Sequence, residues 1–197
     1  IGWDEILEGE GLSQSASVMS WRGEEGGIAA AKMEHEVLMT PASHGFYFDY
    51  YQGDPQLEES CYIGGYFPIA KVYAYDPVPA ALRGTDKARF VLGVQANNWS
   101  EYTHNGVELE NKLYPRALAL SEVAWSPMEP RDFADFCRRA DGWHALRLQS
   151  LGIPFHTPQP QQPEGSIGHI AFTDATVLTL ETTRPERIVY TLDGSDP

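Results

Sequence analysis

With 197 residues, 42% of them hydrophobic, the chain is long enough for one sizeable globular domain, and it holds no apolar run of membrane-spanning length. Its formal net charge of −14 excludes nucleic acid as a partner, because a phosphate backbone is met by clustered Lys and Arg. Cys61 and Cys137 make neither a disulfide framework nor a metal spacing and read as two unpaired thiols.

Ile1-Gly2-Trp3 reads as a short strand end, followed by a Glu- and Gly-containing loop. Ser17 to Trp21 is a second short strand that ends at an indole, and a Gly-rich stretch follows it. Ile28 to Met33 has high helix propensity, and Glu36 to Thr40 is a buried strand closed by Pro41. Strand, helix, strand predicts a parallel sheet with crossover helices. The first residue is not Met, and Leu192-Asp193-Gly194-Ser195-Asp196-Pro197 stops inside a turn signal, so both ends read as cut from a longer chain.

Residues 41–88 form a long connection rich in Tyr, Gly and Pro. A connection of that length is either functional or disordered, and aromatics such as Phe46, Tyr47, Phe48, Tyr50, Tyr51 and Tyr62 argue against disorder. A short helix is expected near Ile69 to Tyr73. The strand Phe90 to Gln95 then runs into Ala96-Asn97-Asn98-Trp99-Ser100-Glu101, where an apolar run gives way to an amide pair, an indole and a carboxylate. An α/β barrel builds its ligand sites at such C-terminal strand ends.

Residues 107–125 read as a helix with an apolar stripe of Leu109, Leu113, Leu120 and Val123, broken or kinked at Pro115. Arg131 to Leu151 is the clearest amphipathic helix, stopped by Gly152. Its stripe of Phe133, Phe136, Cys137, Ala140, Trp143, Leu146 and Leu151 reads as core. Four prolines alternating with Gln and Thr over 154–163 make a semi-rigid linker. Beyond it, 175–181 and 187–192 alternate at period two and read as strands opening an all-β module, too small to bury a core of its own.

Four strand ends share one signature: Trp3, Trp21, Tyr47 with Asp49, and Trp99 with Glu101. In a barrel these positions face one pocket. Three indoles can wall off a small apolar group or stack on a sugar face, and carboxylates accept strong hydrogen bonds from sugar hydroxyls. The six histidines are scattered and no phosphate loop is present, so neither metal nor cofactor is expected. His104 alone lies near the site loop.

Ile1-Gly2-Trp3-Asp4-Glu5-Ile6-Leu7, Val18-Met19-Ser20-Trp21-Arg22-Gly23, Tyr47-Phe48-Asp49, Gly93-Val94-Gln95-Ala96-Asn97-Asn98-Trp99-Ser100-Glu101, and Tyr114-Pro115-Arg116 with Ala119-Leu120-Ser121-Glu122-Val123-Ala124-Trp125 stand in an order and spacing that resembles family-20 glycoside hydrolases, the β-N-acetylhexosaminidases. The resemblance implies the second half, strands five to eight, of a TIM-type (β/α)8 barrel over residues 1–153. A Pro/Gln-rich linker over 154–165 and the beginning of a β-sandwich module over 166–197 complete the implied organisation. It also implies an exo-acting enzyme that removes terminal GlcNAc or GalNAc by a substrate-assisted retaining route. Trp3, Trp21 and Trp99 would box the acetamido group, Tyr47 would donate to its carbonyl, and Asp49 and Glu101 would hold sugar hydroxyls.

The family's catalytic Asp-Glu pair follows two glycines, whereas Asp4-Glu5 follows Trp3 and matches the next strand, so the general acid is not assigned here. Arg22 and Arg116 read as structural. The resemblance therefore predicts that this chain alone is inactive, that a homo-oligomer could close the half barrel, and that the parent is a periplasmic, cell-surface or secreted bacterial protein. A non-catalytic carbohydrate-binding protein on the same scaffold is the alternative.

Overall fold

The computed structural model describes residues 1–44, 46–55, 63–163, 170–182 and 187–195. Cys61, Tyr62 and His169 lie outside the described residues.

Four short strands, β1 (Gly2–Trp3), β2 (Val18–Ser20), β3 (Val37–Met39) and β6 (Val91–Val94), make one sheet in the order β1-β2-β3-β6. All three pairings are parallel, as the strand–helix–strand order predicts. The β3–β6 register slips once, so that Leu38 faces Gly93 rather than Leu92. The extra residue, Leu92, is left exposed, and Gly93 takes up the bend at φ +152°.

The helix α1 (Glu25–Lys32) crosses from β2 to β3 and begins earlier than the propensity of Ile28 to Met33 suggests. Its first turn contains Gly26 and Gly27, poor helix formers that packing selects. A Cβ at Gly27 would lie 2.6 Å from the Met39 sulfur and 3.1 Å from the Ser20 Cβ, and one at Gly26 would lie 2.6 Å from Asp4. The Ser20 hydroxyl accepts from Gly27 N–H at 2.8 Å and donates to Gly23 C=O at 2.7 Å, which ties the helix start to the strand end. Val18, Val37 and Met39 meet Ile28, Ala30 and Ala31 in the main core.

Within the long connection, β4 (Tyr50–Tyr51) and β5 (Gly64–Tyr66) form a separate parallel pair, and α2 (Ile69–Tyr73) forms where a helix is expected. The stretch expected as one helix over 107–125 is two: α3 (Gly106–Leu113) and α4 (Arg116–Trp125), parted at the cis Tyr114-Pro115 bond. Proline has no N–H for the helical ladder and its ring clashes with the preceding turn.

The helix expected over Arg131 to Leu151 forms as α5 (Phe133–Arg139), a π-type turn over Ala140–His144, and α6 (Ala145–Ser150). Only the first half of its stripe is core. Phe136, Cys137 and Ala140 are buried against Phe48, Val72, Tyr73 and Ala119, while Trp143, Leu146 and Leu151 are exposed. The π-type turn widens the helical repeat at this point, and the later positions of the stripe no longer face the layer that buries the earlier ones.

The two C-terminal runs expected as strands carry no ladder among the described residues. A single antiparallel bridge joins Gln161 to Glu181, and Val177, Leu178, Val189, Tyr190 and Leu192 are exposed.

Candidate active site

Trp3 ends β1, and the loops that follow β2, β3 and β6 carry Trp21, Tyr47 and Trp99. One backbone device brings the last two together. Asn97 N–H donates to Phe46 C=O at 2.8 Å, and Phe48 N–H donates to Asn97 C=O at 2.7 Å, so the loop after β3 is bridged to the loop after β6. The Asn97 amide donates onward to Thr40 Oγ1 at 2.9 Å and accepts from Gln95 at 2.9 Å. The amide pair of the sequence motif therefore sets the loop register.

The aromatic groups close into a cluster. Trp3 and Trp99 lie 5.7 Å apart between ring centroids, Tyr47 meets Trp99 edge-on at 6.3 Å, and Trp21 stacks on Tyr47 at 6.1 Å. These separations fall in the range of favourable aromatic pairing. Tyr47 is buried, whereas Trp99 is 38% exposed and offers a ring to solvent. Burial pushes the Tyr47 phenol up to about 12, and a hydrogen bond with the Trp99 side chain opposes that shift. An indole N–H can only donate, so the phenol proton is left to donate elsewhere.

Trp21 is held from the other side. Its indole N–H donates to both oxygens of Glu5 at 3.0 Å, a contact that holds the Glu5 carboxyl below the usual range. Asp4 is buried, paired with Arg22 Nε at 3.0 Å and accepting from the Trp21 backbone N–H at 3.4 Å. Asp4 and Glu5 are thus committed to positioning Trp21 and its loop. Glu5 is a site-shaping residue that the sequence reading set aside, and its only signal was the Trp-Asp-Glu run.

Asp49 is 1% exposed, and its Oδ1 has no hydrogen-bond partner among the described residues. Burial raises its carboxyl above the usual range, its own backbone amide and the charges of Lys112 and Arg116 pull it down, and Glu101 pushes it up. An unpaired buried carboxylate oxygen is costly unless a donor arrives from outside the chain. Glu101 lies on the exposed Ser100–Tyr102 turn beyond Trp99. That turn is fastened from below: the Asn98 amide donates to Trp99 C=O at 3.2 Å and Thr103 Oγ1 at 3.0 Å, and Lys112 Nζ donates to Thr103 Oγ1 at 3.0 Å and to Tyr102 C=O.

Arg116 is fully buried and donates to the carbonyls of Tyr50, Phe67, Lys112 and Phe48. It holds the Asp49 loop to α4 and is structural, as read. His104 lies just before α3, pairs with Glu108 at 3.0 Å and is exposed, while Asn105 caps the helix. No cluster of metal-ligating side chains occurs among the described residues.

The family model for the glycosyl hydrolase family 20 catalytic domain matches residues 1–128. The chain belongs to glycosyl hydrolase family 20. This family-20 chain is 56% identical over all its 197 residues to a beta-hexosaminidase of Porphyromonas gingivalis, of which it covers 25%. It is 32% identical to a beta-N-acetylhexosaminidase of Cellulomonas fimi over 87% of its length and 34% of the relative's. It therefore spans between a quarter and a third of these relatives.

Among solved structures it is similar to a family-20 exo β-N-acetylglucosaminidase of Vibrio harveyi in complex with N-acetylglucosamine, with TM-score 0.68 and 25% identity over 79% of this chain and 24% of that one. It is also similar to a chitobiase of Flavobacterium johnsoniae, with TM-score 0.60 and 28% identity over 77% of this chain and 21% of that one. The fold is accordingly of the α/β TIM-barrel type, and the aromatic cluster stands at the strand ends where such a barrel carries its chemistry.

Proposed function

We propose that the full-length protein is an exo-acting β-N-acetylhexosaminidase that releases terminal GlcNAc or GalNAc, and that this chain supplies strands five to eight of its barrel. The acetamido carbonyl oxygen of the substrate attacks its own anomeric carbon as the glycosidic C–O bond breaks. The leaving oxygen takes a proton from a general acid, and water later opens the oxazolinium-like intermediate with retention. Trp3, Trp21 and Trp99 enclose the acetamido methyl, Tyr47 donates to the carbonyl oxygen and holds it for attack, and Asp49 and Glu101 accept from hydroxyls of the terminal sugar. Fixing the nucleophile in line accounts for much of the advantage of such an intramolecular step.

The observation that carries this reading is the joint placement of the aromatic cluster and the buried Asp49 oxygen that has no partner among the described residues. Asp4 and Glu5 are engaged by Arg22 and Trp21, which supports placing the general acid and its companion Asp elsewhere in the protein. The 197-residue chain by itself is then inactive. By the same reading, residues 166–197 begin a separate β module after the 154–165 linker, and the parent is a periplasmic, surface or secreted bacterial protein, which cell fractionation tests.

An aryl N-acetyl-β-D-glucosaminide assay decides. In the full-length protein, Trp99→Ala and Glu101→Gln are expected to lower kcat/KM by at least about 10²-fold, and wild-type kinetics in both would overturn the assignment. The isolated chain is expected to show no turnover, and turnover that survives purification controls overturns that part alone. A full-length protein that binds GlcNAc without cleaving any glycoside would be a carbohydrate-binding protein on this scaffold.

A further inference from the structure

We propose that Lys112 is a positioning residue for sugar recognition: its buried ammonium fastens the Trp99–Glu101 turn to α3 while its backbone carbonyl is bonded to the Asp49 loop, so that both hydroxyl acceptors are aligned to the same sugar. This rests on the roles given above to Asp49 and Glu101.

A lysine at 1% exposure needs a reason, since an ammonium taken out of water is expensive unless it is fully engaged. Lys112 lies on the inward face of α3, and its Nζ reaches past the helix to Tyr102 C=O and to Thr103 Oγ1 at 3.0 Å. Tyr102 is the residue after Glu101, so the ammonium holds the turn that presents that carboxylate. The Thr103 hydroxyl accepts from Lys112 and from Asn98 and donates to Trp99 C=O at 3.3 Å. The same charge thereby reaches Trp99 through one intervening hydroxyl.

The Lys112 C=O is also engaged, accepting from Gln52 at 3.2 Å and from Arg116 at 2.8 Å. Gln52 lies three residues beyond Asp49, so the helix turn that carries the ammonium is bonded to the Asp49 loop as well. Burial raises the Asp49 carboxyl, and among the described residues the charges that act on it are Lys112 on α3 and Arg116 on α4, which lower it, and Glu101, which raises it. Arg116 spends its guanidinium on four carbonyls. Lys112 thus joins the two acceptors, its ammonium bonded to the turn that carries Glu101 and its carbonyl to the loop that carries Asp49.

Lys112→Met and Lys112→Arg in the full-length enzyme test this by pH profile. For Lys112→Met, the acid limb of kcat/KM is expected to move up by about one pH unit, because Asp49 loses a stabilising charge, and KM is expected to rise about tenfold or more. Lys112→Arg should restore the limb. An Asp49→Asn enzyme should show no further limb shift on adding Lys112→Met. A folded Lys112→Met enzyme with wild-type KM and acid limb overturns the proposal. If Lys112→Met does not fold, Thr103→Ala serves: it removes an acceptor but keeps the charge, so KM should rise several-fold with the limb unmoved, and a wild-type KM overturns the proposal. The two layers separate cleanly. If Asp49→Asn and Glu101→Gln alone leave KM unchanged, the sugar-binding reading fails; if they impair it while Lys112→Met does not, only the present inference fails.

Discussion

Tyr47 and Asp49 lie two residues apart, and burial acts on them with opposite consequences for function. For Tyr47, desolvation disfavours the phenolate, and a group pushed up to about 12 remains a donor throughout the neutral range. Tyr47→Phe is expected to lower kcat/KM by about 10²-fold, the order seen on removing a single donor to a reacting oxygen, while leaving the alkaline limb of the pH profile where it was. The protonated phenol also contributes stability that is fully present below the ordinary tyrosine value of 10.0 and is lost as pH rises through about 12. Alkaline denaturation of the Phe variant should accordingly begin at higher pH. For Asp49 the same desolvation opposes the form that function needs. Its folded value is raised, so the stabilising state is the protonated one, and stability is lost as pH rises through the folded value. Asp49→Asn is therefore expected to raise Tm at pH 7 and to lose that gain below the ordinary carboxylate range, while activity falls. A Tm at pH 7 equal to or below wild type would show that Lys112 and Arg116 outweigh burial.

At the scale of elements, the site depends on how α3 and α4 are joined to the loop after β3. The break at Pro115 starts α4 at Arg116, from where the side chain reaches the carbonyls of Tyr50, Phe67, Phe48 and Lys112. Each buried carbonyl left unpaired costs about 1–3 kcal/mol. Arg116→Leu is thus expected to remove most of the roughly 5–15 kcal/mol that separates a folded domain from its unfolded chain. Arg116→Lys should recover little, because the three donors of an ammonium sit on one atom and do not span four carbonyls as a planar guanidinium does. Denaturant unfolding of the two variants measures this, and near-wild-type stability in Arg116→Leu would show that water replaces the guanidinium.

At the scale of the whole molecule, β1 and β6 each pair on one side only among the described residues, and Ile1 and Leu92 at those edges are exposed. Trp125, Trp143 and Leu146 add exposed apolar surface on the helical side. Unpaired strand edges and contiguous apolar surface are where chains associate. If the chain is strands five to eight of the barrel, as proposed, the isolated chain is expected to self-associate edge to edge, with light scattering giving a mass of twice the 21.9 kDa protomer or more. A monodisperse monomer at micromolar concentration would count against it.

Much of this was determined by the sequence by itself. The parallel strand order, α2, α1 apart from its first turn, and the position of Trp3, Trp21, Tyr47 and Trp99 at or just beyond strand ends all follow from local pattern, because an apolar run that ends in an indole marks a strand end without reference to distant contacts. What only the tertiary structure decided are the features that depend on partners far along the chain. Gly26 and Gly27 are helical because Asp4, Ser20 and Met39 leave no room for a side chain. The stripe after Ala140 is exposed because the π-type turn redirects it. Among the described residues the C-terminal runs carry no ladder, because alternation specifies a face but does not supply the layer that covers it. Lys112 is buried and bonded to Tyr102 and Thr103 because that turn folds back over α3, a closure that no spacing along α3 encodes.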